Sequence, residues 1–395
     1  MLYFNRLQAI ITAYFSKLQR PINPQKFIAC IDGFRFFAIF TVCLLHLNNY
    51  YGRSINYDYY QGVKEINSCS WFINRCGLGV ELFFAISGFV IALPFFMHYL
   101  EGTKRPSLKS YFMRRITRLE VPFLLSCLLI YIAYIVVSQL NFFNEIGHLL
   151  STMTYTHVFF YGNWPPFNPV TWSLETEIQF YIIAPWLIRF LFMGNNNIVR
   201  YIKMLLLAAI TLFLKSRHAE MQTLHLHFSI LSFLHYFLVG FVIAELYIRR
   251  KEFLNKRHII WDAIGIYCFY ALFKYAWISN QTYFCISLLF LFICIFKGPF
   301  LNWICTRKFI YIVGGMCYTI YLLHYPLLHF TGKLTSSIHF FDSYYQNLMI
   351  QALLLLPLIL IICSVFFILI EKPCMDKNWP QKLWILLKKI KQSNS

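Results

Sequence analysis

Apolar runs of about twenty residues recur along this chain, separated by short connectors that collect most of its Lys and Arg. A run of that length crosses the hydrocarbon layer as one α-helix, because lipid offers no partner for backbone N–H and C=O groups and a helix satisfies them within the segment. The runs lie near residues 30–50, 77–99, 119–140, 170–192, 199–216, 228–249, 258–277, 281–297, 309–330 and 347–371. They predict an all-α integral membrane protein, a bundle of about ten transmembrane helices. Only 13% of the 395 residues are charged, against about 25% in soluble domains. No internal repeat or low-complexity tract interrupts the pattern.

The net charge of +19 would by itself suit a nucleic-acid partner, but its distribution argues against one. Lys104, Arg105, Lys109, Arg114, Arg115 and Arg118 fall in one connector, and Arg249, Arg250, Lys251, Lys256 and Arg257 in another. Clusters in alternate connectors orient a bundle with both termini in the cytoplasm, facing an anionic leaflet. Three regions are expected: an amphipathic interfacial segment over 1–26, a membrane domain over 27–373 and a basic cytoplasmic tail over 374–395. Residues 2–18 place Tyr3, Leu7, Ile10, Ile11, Tyr14, Phe15 and Leu18 on one side, and no cleavable signal peptide is expected. Trp379, Leu383, Trp384, Leu386 and Leu387 suggest a second interfacial helix. Ile146–Tyr161 is too short and polar for a crossing and reads as re-entrant or surface-lying. The twelve Cys form no CxxC pair, and Cys69 and Cys76, both outside, are the candidates for a disulfide.

Several ionisable residues interrupt the apolar runs. Ile31–Leu47 reads IDGFRFFAIFTVCLLHL and carries Asp32, Arg35 and His46. Arg35 and His46 are eleven residues apart, about three turns and roughly 16 Å of rise, so both lie on one stripe with Asp32. Each ionisable group at membrane depth costs about 2.5–3.5 kcal/mol, so three on one face suggest a polar cavity. The plainer reading pairs Asp32 with Arg35 at the surface and leaves His46 as helix-to-helix glue.

Glu81 and Ser87 lie on the second run, with Gly88 letting another backbone approach on the face of Glu81. Arg115 and Arg118 share a helical face and suit a ligand bearing several phosphates, or headgroups alone. Ser173, Glu177 and Tyr181 follow i, i+4, i+8 spacing, while Glu175 and Gln179 form a neighbouring row. Cys317, Tyr321 and His324 share a face beside Gly314 and Gly315, although a lone intramembrane His is usually structural. His225, His227 and His235 lack the accompanying ligands of a metal centre, and none is expected. There is no phosphate-binding Gly-rich loop, GxSxG or HExxH motif.

The order IDGFR through His46, then GVELFFAISGF, RRITR, TWSLETEIQFY and GGMCYTIYLLHYP, resembles the acyltransferase 3 family of integral membrane acyltransferases. The likeness runs from about Ile31 to Pro373. It implies a multi-span bundle that uses a cytoplasmic acyl-CoA, acetyl-CoA by preference, to acylate a glycan hydroxyl on or across the membrane. The acyl-CoA is a co-substrate, no cofactor is held permanently, and no metal is used. By position, His46 matches the catalytic histidine, and Arg35, Arg115 and Arg118 match arginines associated with the acyl donor or active site. Glu177 matches the first acid of the WSLxxEEQFY-like signature, with Ile178 in place of the second. Glu81 stands where Asp is commoner, and His324 ends the YxLYLLHxP pattern. Asp32, Glu81, Ser87, Trp172, Ser173, Glu177, Tyr318 and His324 form the expected supporting or acceptor set.

The chemistry of acyl transfer is consistent with this set. A neutral His near pH 7 suits proton abstraction from an alcohol, and His46 is expected as that base or as an acyl-carrying nucleophile. Some relatives carry an attached hydrolase-like domain, so a one-domain mechanism or a separate partner is expected here. The expected acceptor is a cell-envelope glycan such as lipopolysaccharide O-antigen, and the expected site a bacterial inner membrane. The rival reading is a transporter or flippase of a lipid-linked sugar, since intramembrane ionisable groups also mark transport paths.

Overall fold

A computed structural model describes residues 14–21, 27–55, 68–138, 142–194, 196–220, 224–276, 280–376, 379 and 381–382. The described residues form helices and connecting loops. The first long helix, α1 (Ala29–Ser54), is followed by α2 (Gly79–Glu101) and α3 (Leu108–Arg115). A π-helical turn, Ile116–Glu120, leads directly into α4 (Val121–Ser138). Next come α5 (Phe142–Met153), α6 (His157–Tyr161), α7 (Trp172–Phe192), α8 (Asn197–Glu220) and α9 (Ile230–Arg249). The last third holds α10 (Ile260–Tyr275), α11 (Gln281–Lys297), α12 (Pro299–Cys305), α13 (Lys308–Gly315), α14 (Cys317–Gly332) and α15 (Tyr344–Phe366), which ends in a second π-helical turn, Phe367–Glu371.

Six of the described helices are long and apolar enough to cross a membrane, or up to eight crossings if each of two bent pairs counts as one. The bent pairs are α11–α12, at 85°, and α13–α14, at 73°. The figure of about ten from sequence therefore differs at α7 and α10. The first carries Glu175, Glu177 and Arg189 within its length. The second has 16 residues, short of the ~20 that span the hydrocarbon layer. The α11–α12 elbow is held by Asp262, whose carboxylate accepts the amides of Phe300 (3.1 Å) and Leu301 (2.9 Å) at the start of α12.

Segment 146–161 folds as the end of α5 followed by α6, which have 12 and 5 residues, too short to cross. Tyr155, in the turn between them, takes a positive φ of 58°. Cys69 and Cys76 are both free, Cys69 exposed and Cys76 buried with its thiol donating to the Phe72 carbonyl at 3.4 Å, so the disulfide is not formed. Most of the two expected interfacial helices lies outside the described residues. Of the first, 14–18 are helical.

The helix α1 divides two apolar clusters. Its Phe34 and Ala38 join a core built by α2, α7, α9, α10 and α11. Its Ile39, Cys43, Leu47 and Tyr51 join another built by α4, α14 and α15. Close backbone packing sets this arrangement. Gly88 lies against the backbone of Phe237 on α9, and Gly240 against the backbone of Ala85 and Phe89 on α2, so a side chain at either position would force the pair apart. Gly314 meets the carbonyl of Asp32 in the same way and seats α13 on α1.

An ion pair ties α8 to α9. Arg200 and Glu245 are each 3% exposed, with Nη2 to Oε1 at 2.5 Å and Nε to Oε2 at 3.2 Å, and Arg249 adds a contact at 2.8 Å. Removing one partner of a buried pair leaves an uncompensated charge. Glu245→Ala is expected to lower stability by about 3–5 kcal/mol, measured by unfolding in detergent. A loss below about 1 kcal/mol would show that Asn197, whose Oδ1 accepts from Arg200 Nη2 at 2.8 Å, already satisfies the guanidinium.

Candidate functional site

A cavity of about 460 Å³ opens where the two apolar clusters part. Its walls include Arg35 from α1, Ser87 from α2, Arg114, Arg115 and Arg118 from α3 and the first π turn, Ser173, Glu177 and Tyr181 from α7, and Tyr318 and Tyr321 from α14. Arg20, from the segment before α1, completes the basic side.

At the base of α1 the carboxylate of Asp32 is 1% exposed and divided between two guanidinium groups. Oδ1 lies 2.6 Å from Arg35 Nη1, and Oδ2 lies 2.6 Å from Arg20 Nη2. Asp32 thus sits behind the cavity wall while both arginines face the space. The i, i+3 spacing makes the Arg35 contact local to the helix. Arg20 reaches Asp32 from outside the helix.

The first π turn is where α3 gives way to α4, and none of its five residues is buried. Such widened turns concentrate at functional sites because they rotate successive side chains out of the α-helical register. Here the consecutive residues Arg114 and Arg115, followed by Thr117, Arg118 and Leu119, all border the cavity. Two tyrosines clamp the turn: Tyr318 donates to the Leu119 carbonyl at 2.9 Å, and Tyr155 to Glu120 Oε2 at 3.0 Å. Arg115 stacks over Tyr111, 3.7 Å from the ring centroid, and lies 5.1 Å from that of Tyr181, an arrangement that fixes its planar fork.

The second π turn brings Glu371 to the same place. It is fully buried, accepts the backbone amide of Thr319 (3.1 Å) and the Thr319 hydroxyl (2.5 Å), and faces Arg118 at 3.8 Å. Thr319 lies in the first turn of α14, so Glu371 caps that helix from another element while balancing Arg118.

Opposite the arginines, α7 supplies the row expected from its spacing. Glu177 Oε1 accepts the Tyr181 hydroxyl at 2.5 Å and that of Ser87. Ser173 and Tyr321 share a hydrogen bond at 3.0 Å. The neighbouring row serves packing: Glu175 Oε2 accepts the Val158 amide at 3.1 Å, and Gln179 Oε1 accepts the Ile230 amide at 2.9 Å.

His46 does not border this cavity. Its ring lies 5.3 Å from that of His324 and 5.2 Å, edge-on, from that of Tyr325. His324 is fully buried, with Nδ1 2.9 Å from the carbonyls of Ile320 and Tyr321. That makes Nδ1–H the donor and leaves Nε2 as the lone-pair nitrogen, which has no partner among the described residues. Tyr321, which lines the cavity, has its ring 6.5 Å from that of His324.

The polar stripe of α1 therefore serves two places rather than one. Arg35, Arg115, Arg118, Ser87, Ser173, Glu177 and Tyr318 are brought together. Glu81 is not among them and interacts instead with Lys215 of α8, whose ammonium donates to Tyr236 at 2.9 Å. Trp172 packs on Phe228 and Phe233, with centroids at 4.5 and 5.4 Å. Among the other histidines, His225 Nδ1 contacts the Phe159 carbonyl at 2.7 Å and His235 Nδ1 contacts Thr211 at 3.3 Å.

Fold and site together define an integral membrane protein of helices with an arginine-lined internal cavity. The chain belongs to the acyltransferase domain family, which matches residues 28–368. It is 24% identical over 352 residues to the O-acetyltransferase OatA of Staphylococcus aureus (strain NCTC 8325 / PS 47), covering 82% of this chain and 54% of that protein. The O-acetyltransferase OatA of Staphylococcus aureus strain COL gives the same values. The chain thus spans about half the length of the curated relatives it matches. No solved structure matches it.

Glu371 and Arg20 were not singled out from sequence. Both sit next to a run of apolar residues, where an ionisable group looks like a topology anchor, and their partners are 52 and more residues away or outside the helix. Glu371→Ala is expected to lower stability by about 1–3 kcal/mol, since it leaves the buried amide and hydroxyl of Thr319 without an acceptor. Unfolding in detergent measures it, and a Thr319→Val background should remove part of the loss.

Proposed function

We propose that this protein is a membrane O-acyltransferase that moves an acyl group, acetyl by preference, from cytoplasmic acyl-CoA to a hydroxyl of a cell-envelope glycan. The observation that carries this reading is the cavity bordered by Arg20, Arg35, Arg114, Arg115 and Arg118. Guanidinium groups converging on one space suit a donor with several phosphates, and their planar forks match phosphate oxygens. The relatives' name, O-acetyltransferase, favours acetyl. The excess of Lys and Arg in alternate connectors supports a cytoplasmic position for the arginine end of α1, the side on which acyl-CoA is made. A lipid-linked or envelope glycan such as O-antigen, in a bacterial inner membrane, is the acceptor of this reading.

In this reading the two ends of α1 divide the reaction. The donor phosphates sit on the arginines, and the acyl thioester extends along α1 toward His46, about three turns and roughly 16 Å further on. His46 takes the proton of the acceptor hydroxyl as its oxygen attacks the thioester carbonyl. The tetrahedral intermediate collapses, the carbon–sulfur bond breaks, and the coenzyme A thiolate leaves with the proton returned by His46. His324, packed on His46 and fixed by two carbonyls, orients that ring.

His46→Ala is expected to lower transfer of label from acetyl-CoA to an acceptor glycan by at least about 100-fold, with folding intact. Acetylation within about threefold of the unmodified rate would overturn the assignment. Movement of lipid-linked sugar without donor, with no acyl transfer by the unmodified protein, would assign transport instead.

A further inference from the structure

The segment before α1 is built into the cavity although it precedes the region matched by the family, residues 28–368. Leu18 is 3% exposed and joins the second apolar cluster, and Phe15 packs edge-on against Phe309 with centroids 5.9 Å apart. The Lys17 carbonyl accepts from Lys372 Nζ at 2.5 Å, and Tyr14 hydrogen-bonds Ser364. These contacts seat residues 14–21 across the ends of α13 and α15, which leaves Arg20 and Pro21 on the cavity wall.

The local charges do not cancel. Asp32 serves both Arg20 and Arg35, and Glu371 faces Arg118. Two carboxylates thus face three guanidinium groups, and with Arg114, Arg115 and Glu177 also on the wall five guanidinium groups stand against three carboxylates. Burial lowers the Arg20 pKa to about 10, with Asp32 opposing the shift and Arg35 and Arg118 adding to it, so the group remains a cation at neutral pH. A cation held among cations beside an open space is stabilised by an arriving anion.

We propose that Arg20 is a donor-binding residue, presenting its guanidinium to a phosphate of the acyl-CoA from a segment outside the family region. The inference rests on the acyl-CoA reading above. Asp32 holds Arg20 in place through one carboxylate oxygen and Arg35 through the other, so the two cations act as a fixed pair. The other role open to Arg20 is solely to neutralise Asp32, and the two roles part in kinetics.

The test uses the full chain in lipid nanodiscs, with coenzyme A binding followed by calorimetry and acetyl transfer by steady-state kinetics. Arg20→Ala is expected to raise the coenzyme A Kd and the acetyl-CoA KM by about 10- to 100-fold, with kcat within twofold. Arg20→Lys, which keeps the charge, should recover most of the loss, and Arg20→Gln keeps the question open to measurement if the alanine variant fails to fold. A fall in kcat at unchanged KM and Kd, or no change in any of them, overturns the proposal. Arg118→Ala, run in parallel, separates the readings. Coenzyme A binding lost there but kept in Arg20→Ala removes Arg20 alone, whereas no binding by the unmodified protein removes both.

Discussion

A carboxylate buried in a membrane bundle must be neutralised, and Asp32 is neutralised by two arginines at once. The rest of the basic side depends on that sharing. Arg35 is held on the cavity face of α1 by a contact within its own helix, and Arg20 ties a separate segment to the same helix. The close seating of Gly314 on the Asp32 carbonyl brings α13 against this point, so the start of α14 is positioned by the same few residues. Ion pairs of this kind rarely add much net stability over an apolar substitute. Their effect here is placement, with charges kept in fixed positions beside a cavity of about 460 Å³.

The two π turns solve a related problem. An α-helix presents only every third or fourth residue to one neighbour, whereas the wall between Arg114 and Leu119 needs several consecutive side chains. Widening one turn meets that need, and the turn is held by Tyr155 and Tyr318 from two other elements. Tyr155 itself adopts the left-handed backbone region, a local cost tolerated where surrounding contacts determine the conformation. Glu371, at the end of the second π turn, then balances Arg118 and caps α14.

Much of this was legible in the sequence because period and length are strong signals. The i, i+4, i+8 row of Ser173, Glu177 and Tyr181 reaches one cavity, and Glu175 and Gln179 fall on the adjacent face as packing residues. Close backbone contact at Gly88 and Gly314 was also readable from small residues within apolar runs. What local pattern does not carry is long-range pairing. Glu81 resembles a cavity acid by position, yet its electrostatic partner, Lys215, comes from a helix more than a hundred residues away. Glu371 and Arg20 act through contacts that no periodicity announces. The crossing count differs from about ten at two helices for a different reason: by length and composition alone, α7 carries three charges and α10 is short.

Arg35 and His46 stand eleven residues apart on α1, so one helix reaches both the arginine cavity and the histidine pair. In the proposed reaction this spacing keeps the phosphate-binding cations away from the histidine that takes the proton, since adjacent positive charge disfavours imidazolium. Eleven residues of helix hold the groups at a fixed spacing while keeping them on one stripe. Tyr321 borders the arginine cavity and neighbours His324, with its hydroxyl bound to Ser173 and to the Val170 carbonyl at 2.5 Å. Tyr321 thus belongs to both polar places at once, lining the cavity with one part of its side chain while its ring neighbours His324.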